Sequence, residues 1–205
     1  MSGIRSEQAA ETREKLLETA KSLFAEKGFH ATPVRSINRS INMGDGILYH
    51  YFPGGKREIL TVLIRESLDR RREAIGQTNR SVEHLPLRDA LLIFVRKLFG
   101  LFMDDLDLMK ILFRENDVLE QEDSRRLSFW VEEHFTVFSN FLDRRRLNGE
   151  IKANLDVTLA TRQFLTMVMQ IGISRITGIQ FFNEPDIDRY FERVVDFSIG
   201  LWKGL

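Results

Sequence analysis

An all-α fold of about nine helices is predicted by three features of this 205-residue chain. Apolar residues recur at helical spacing through most of its length. No window alternates at period two for long enough to make a strand, and glycine, proline or asparagine separates the periodic runs. With 43% hydrophobic and 29% charged residues, the composition supplies a sizeable core and is unlike that of a disordered chain.

The first helix is expected over Gln8–Lys27, where Leu16, Leu17, Ala20, Leu23 and Phe24 share a face and Gly28 follows as a C′ residue. Thr32 reads as an N-cap and Pro33 as the first residue of a second, short helix carrying Val34, Ile37 and Ile41. Asn42 suits the left-handed conformation of a sharp turn, so a third helix is expected over about Asp45–Phe52. Pro53-Gly54-Gly55 ends it, and a fourth is expected from Lys56 to Ile75, with Ile59, Leu60, Leu63, Ile64 and Leu68 on one side. The polar stretch Gly76–Pro86 reads as a linker. Further helices are expected over Leu87–Met103, Leu108–Val118, Asp123–Leu147, Val157–Thr177 and Asp186–Lys203, with breaks at Asn148-Gly149, Gly178 and Glu184-Pro185.

The absence of cysteine excludes disulfides, thiolate nucleophiles and cysteine-containing zinc sites. No run approaches the roughly 20 apolar residues of a membrane span, and Met1–Ala10 lacks a signal-peptide core, so a cytoplasmic location without membrane contact is expected. Hydrolase and zinc-protease motifs are missing, Gly55-Lys56-Arg57 lacks the rest of a phosphate-binding loop, and the four histidines have no metal-ligand spacing. Neither enzymatic activity nor a cofactor or metal is expected. Net charge is zero, but residues 1–80 carry 14 basic against 10 acidic side chains and the remainder carries the opposite imbalance. A basic N-terminal module fits a polyanionic partner. The runs Arg70-Arg71-Arg72 and Arg144-Arg145-Arg146 read as solvated helix faces.

Helices two and three with their tight turn describe a helix-turn-helix, whose second helix enters the DNA major groove while the first crosses the backbone. Leu48 and Phe52, four apart, should seat helix three on helix one, leaving Asp45, Gly46, Tyr49 and His50 outward. The segments Phe24-Ala25-Glu26-Lys27-Gly28-Phe29, Thr32-Pro33-Val34-Arg35-Ser36-Ile37 and Gly46-Ile47-Leu48-Tyr49-His50-Tyr51-Phe52-Pro53 closely resemble the TetR-family DNA-binding domain. The likeness spans about Thr12–Leu60. It implies that Tyr49 and Tyr51 reach phosphates and that Asp45, Gly46 and His50 approach base edges, with Gly44 beside them among the DNA-binding residues. It further implies that Thr32 and Arg35 touch the backbone and that Lys56 clamps a phosphate.

One stretch departs from the family pattern. Ile41-Asn42-Met43-Gly44-Asp45-Gly46-Ile47 stands where relatives usually have Ala-Gly-Val-Ser-Lys-Gly-Thr, so a cation and two hydroxyls are missing. The Asp45 carboxylate repels phosphate but can accept from a cytosine amino group, which favours reading a C·G pair. Two glycines are expected to weaken helix three by roughly 1 kcal/mol each.

The resemblance also implies a larger helical domain enclosing an effector. Candidate lining residues are Phe99, Phe102, Met103, Met109, Phe113, Trp130, Phe138 and Phe141, together with Met167, Gln170 and Ile171. His134 is either a satisfied core histidine or a polar handle for that ligand. Leu159–Ile176 and the last helix read as apolar nearly all round, and such helices need cover on both sides. Leu165, Met169, Ile173, Tyr190, Val194, Phe197 and Leu201 are therefore candidates for a homodimer interface, which matches the family's dimer bundle. Residues 1–55 are expected to bind double-stranded operator DNA, and residues 56–205 to bind a small-molecule effector and dimerise. The resulting expectation is a ligand-responsive repressor; the alternative is a dimeric small-molecule-binding protein with weakened DNA recognition.

Overall fold

A computed structural model describes residues 2–115, 118–179 and 186–203. Among these the chain forms nine helices and no strand. They are α1 (Ser2–Lys27), α2 (Val34–Ser40), α3 (Ile47–Tyr51), α4 (Gly55–Val82), α5 (Leu87–Met103), α6 (Leu106–Arg114), α7 (Gln121–Leu147), α8 (Val157–Thr177) and α9 (Ile187–Lys203). The expected Glu184-Pro185 break lies outside the described residues.

The helices group into two compact units. The first comprises residues 1–69 and 105–125, so α6 joins α1–α3 and the first half of α4. Its buried side chains include Leu16, Leu17, Ala20 and Phe24 of α1, Ile37 of α2, Leu48 of α3, and Leu108, Ile111 and Leu112 of α6. The Arg13 guanidinium lies 5.3 Å from the centroid of the buried Phe52 ring, so α1 covers the end of α3 with a cation–π contact. The second unit comprises residues 70–104 and 126–205. Its core is aromatic: Phe138 stacks on Phe164 at 5.0 Å and also meets Phe94 at 4.7 Å, while Phe164 meets Trp202 at 5.5 Å.

Several local expectations need correction. The expected linker after Ile75 is helical as far as Val82. Ile75, Thr78 and Val82 are buried one above another on a single stripe, and the Thr78 hydroxyl donates to the Ala74 carbonyl at 2.9 Å. Three covered positions are enough to carry a helix through a polar stretch. Thr32 does not cap α2, whose N-terminus has no side-chain cap. Its buried hydroxyl points back to α1 and donates to the carbonyls of Gly28 (2.7 Å) and Leu23 (3.2 Å). Helix α3 begins at Ile47, so Gly44 and Gly46 precede it and the penalty for glycine inside a helix does not apply. Helix α6 starts earlier than expected because the Asp105 side chain accepts the Leu108 N–H.

The arginine runs are not wholly solvated, because each places one residue on the buried side of its helix. Buried Arg71 donates to the Leu101 carbonyl at 3.1 Å. Buried Arg145 donates to the carbonyls of Val82, Glu83 and Leu85, which caps the end of α4. Helix α9 is amphipathic rather than apolar all round. Helix α9 buries Phe191, Val194, Val195 and Trp202 but sends Asp188 and Asp196 to ion pairs with Arg96 and Arg88 of α5.

Candidate nucleic-acid interface

Helix α3 is only five residues long, and its neighbours fix its orientation. Asn42 adopts φ 57°, the left-handed conformation that turns the chain sharply after α2. Asn38, fully buried, donates from Nδ2 to the Asp45 carbonyl at 2.7 Å, while its backbone carbonyl accepts the Met43 N–H at 2.9 Å. One buried residue thus holds the turn through its side chain and its main chain. Leu48 and Phe52 face the interior, which leaves Asp45, Tyr49 and His50 exposed, with 53% of Tyr49 accessible. Tyr51 is half-buried, and His50 meets its ring edge-on at 5.1 Å.

The turn after α3 supports Tyr49 from behind. Gly55 has φ +69°, and a Cβ there would lie 3.2 Å from the Tyr49 ring. Only glycine meets both constraints. Glu58 accepts the Gly54 N–H at 2.8 Å and so caps the start of α4. Gly44 and Gly46 differ from Gly55: their φ values are not positive, and a Cβ on either would meet nothing within 4 Å. Packing within the chain therefore gives no reason for glycine on either side of Asp45.

Other sequence-selected positions of this surface are placed differently. Arg35 is exposed on α2, whereas Thr32 is buried. Lys56 Nζ turns inward and donates to the carbonyls of Phe29 (2.6 Å) and Thr32 (3.0 Å). Burial lowers its pKa, partly offset by the Glu115 charge. Arg114 and Glu115, at the end of α6, hold the same loop and were not singled out in the sequence. Glu115 accepts the Phe29 N–H across 86 residues of chain, and local spacing carries no signal for such a contact.

The effector candidates do not form one group. Met109 and Phe113 lie in the first unit, where Met109 is buried and Phe113 is 52% exposed. In the second unit Phe138 and Phe141 are core residues, and Phe102 packs so closely on Gly172 that no Cβ would fit. Phe99 meets Phe191 edge-on at 5.3 Å, and Met103 is half-buried. The Trp130 and His134 rings meet at 4.1 Å, tilted by 43°, with the Trp130 Nε1 buried and unpartnered. Burial lowers the His134 pKa, opposed by its bond to the Trp130 carbonyl. Ile171 is buried, Gln170 is half-buried, and the Met167 backbone carbonyl accepts the Tyr190 hydroxyl at 3.0 Å.

A groove of about 500 Å³ between α7 and α8 uses none of these residues. It is lined by polar groups including Ser139, Asn140, Thr161 and Arg162, and the Thr161 hydroxyl is buried without a partner. Among the dimer candidates, Leu165 and Val194 are buried, Met169, Ile173 and Tyr190 are half-buried, and Phe197 (56%) and Leu201 (43%) are exposed. Leu159, at the start of α8, is exposed as well.

The family profile described as "Bacterial regulatory proteins, tetR family" matches residues 16–63. The transcriptional repressor KstR2 of Mycolicibacterium smegmatis is 30% identical over 164 residues, covering 76% of this chain and 75% of that protein. The HTH-type transcriptional regulator YxaF of Bacillus subtilis is 39% identical over 75 residues, and that match spans 37% of this chain and 34% of the relative. The fold is shared with FadR of Bacillus subtilis in complex with stearoyl-CoA, at TM-score 0.67 and 20% identity over 91% of this chain and 97% of that one. It is also shared with AibR in complex with isovaleryl coenzyme A and operator DNA, at TM-score 0.65 and 20% identity over 93% and 97%.

Proposed function

The chain belongs to the TetR family of bacterial regulatory proteins, and from that premise we propose that it is a homodimeric, ligand-responsive transcription regulator acting as a repressor in the cytoplasm. The observation that carries this reading is the sidedness of α3, with Leu48 buried and Tyr49 and His50 exposed beyond a pinned turn. Operator contact is assigned to Arg35, Gly44, Asp45, Gly46, Tyr49, His50 and Tyr51, with Thr32 acting through the loop it closes. The DNA-reading part is residues 1–55, and residues 56–205 bind the effector and dimerise. A two-fold dimer sets its recognition helices about 34–36 Å apart on a palindromic site.

The effector is assigned to the amphipathic class. Two fold neighbours hold acyl-coenzyme A thioesters, which makes stearoyl-CoA and isovaleryl-CoA the first probes. The unpartnered Trp130 Nε1 and the His134 ring beside it are the polar handles for such a ligand. Helix α4 runs through both compact units, so a ligand that biases its second half can alter the reader at its first half. Releasing operator about 100-fold needs about 2.7 kcal/mol of differential binding, an ordinary coupling energy.

The test is fluorescence anisotropy of the full chain against DNA from upstream of its own gene, beside a scrambled duplex, over several salt concentrations. Selective binding with a steep salt slope, released by an acyl-CoA, supports the repressor. Weak binding indifferent to sequence supports the second reading, a dimeric small-molecule-binding protein, which the cation missing at Asp45 favours.

A further inference from the structure

The loop joining α1 to α2, residues 28–32, is held by side chains from two other helices. Lys56, at the start of α4, aims its ammonium at the carbonyls of Phe29 (2.6 Å), Thr32 (3.0 Å) and His30 (3.4 Å), and Nζ lies 4.4 Å from the Phe29 ring centroid. Glu115, just beyond α6, is buried and accepts the Phe29 N–H at 3.1 Å. Arg114 donates to Glu115 at 3.0 Å and to the carbonyls of Phe24 and Ala25 at the end of α1, the latter at 3.1 Å. Gly28, at φ +94°, sits so close that a Cβ would lie 3.0 Å from Glu115 Oε1.

We propose that Lys56, Glu115 and Arg114 form a clamp that fixes where α2 begins, and that Lys56 serves DNA binding as a positioning residue and not as a phosphate contact. An ammonium has three N–H donors, and three carbonyls take them here. To reach a phosphate, Lys56 must leave those oxygens partly buried and unpaired and give up the Phe29 ring, while the gain is one exposed charge pair screened by salt. Across the loop, Glu115 holds the Phe29 N–H while Lys56 holds the Phe29 carbonyl, so one residue is gripped on both sides of its backbone. Ser36 N–H bonds the Pro33 carbonyl at 2.9 Å to open α2, directly after Thr32, whose carbonyl Lys56 holds.

Only the DNA consequence rests on the regulator reading; the clamp itself is measurable without DNA. Lys56→Met and Glu115→Ala are compared with the wild-type full chain. Hydrogen exchange of the amides from Phe29 to Ile37 should speed up about 10-fold or more in both variants, since local protection reports local stability. Operator affinity should fall by about 10-fold in both, and for Lys56→Met the log–log salt plot should stay parallel to wild type; a lost phosphate contact would instead flatten it by about 0.9 per lysine, or about 1.8 per dimer. Glu115→Ala is the stricter case, because removing a negative charge should by itself strengthen binding to a polyanion. Unchanged exchange in both variants, or a flattened slope for Lys56→Met, overturns the proposal. If Lys56→Met does not fold, Glu115→Ala carries the exchange and affinity arms alone. A wild-type protein without operator binding would sink the regulator reading while the exchange measurement still decides the clamp.

Discussion

Asp45 carries an exposed carboxylate, its backbone carbonyl is fixed by buried Asn38, and neither flanking glycine has a packing role. If it reads a cytosine amino group, Asp45→Asn relaxes base preference at one position of each half-site, by about 1–3 kcal/mol of lost discrimination. Asp45→Lys should also raise non-specific affinity and steepen the salt slope. Binding-site selection on randomised duplexes checks both, and an unchanged preference counts against the reading. His134 gives a pH prediction with a definite sign. Burial lowers its pKa, so as pH falls below about 6.5 the unfolded chain takes up a proton that the folded chain refuses. Stability therefore drops from pH 7 towards the folded pKa and levels off below it. Glu133 on α7 favours the charged ring and Arg72 on α4 opposes it. His134→Gln should flatten the melting temperature between pH 7 and 5 relative to wild type. The exposure of Tyr49 and His50 was legible because a four-residue spacing fixes which way α3 faces. The inward turn of Lys56 was not, because its acceptors lie 24 to 27 residues upstream.

Helix boundaries divide in the same way. Helices α5 and α8 have the bounds that their apolar periodicity predicts, since many buried residues per turn leave little choice of register. The second half of α4 was hidden because Gly76-Gln77-Thr78-Asn79-Arg80-Ser81 is polar and its burial is confined to a thin stripe. Two glycines of α4 make opposite predictions. At Gly76 an added Cβ meets only the tip of the Arg80 side chain, at 3.8 Å. Gly76→Ala should therefore stabilise the protein by about 1 kcal/mol, the ordinary propensity difference inside a helix. Gly55 combines positive φ with the Tyr49 ring, so Gly55→Ala should cost about 1–3 kcal/mol and displace a proposed DNA contact. Urea denaturation of the two variants gives the comparison.

At the scale of the whole molecule, an all-α fold with an N-terminal helix-turn-helix followed from periodicity and turn residues. The grouping of its helices did not, because nothing in the α6 sequence says that it belongs with α1. The dimer proposal depends on outward apolar residues, and Phe197, Leu201 and Leu159 supply them where Leu165 and Val194 are already covered. Phe197→Arg should give a monomer by light scattering and weaken operator binding by about two orders of magnitude, since both half-sites must be held together. The placement of α6 bears on how this protein could exchange parts with its relatives. The compact unit that carries residues 1–55 also takes in residues 56–69 and 105–125, so it is not a contiguous cassette. A single recombination point after α4 would pair one parent's Phe29 loop with another parent's Glu115 and Arg114, separating partners that bond across 86 to 90 residues. Hybrids that trade operator preference should therefore tolerate two crossovers, carrying the 105–125 segment along, far better than one. During synthesis, likewise, the reader's loop stays ungripped until the ribosome has passed residue 115.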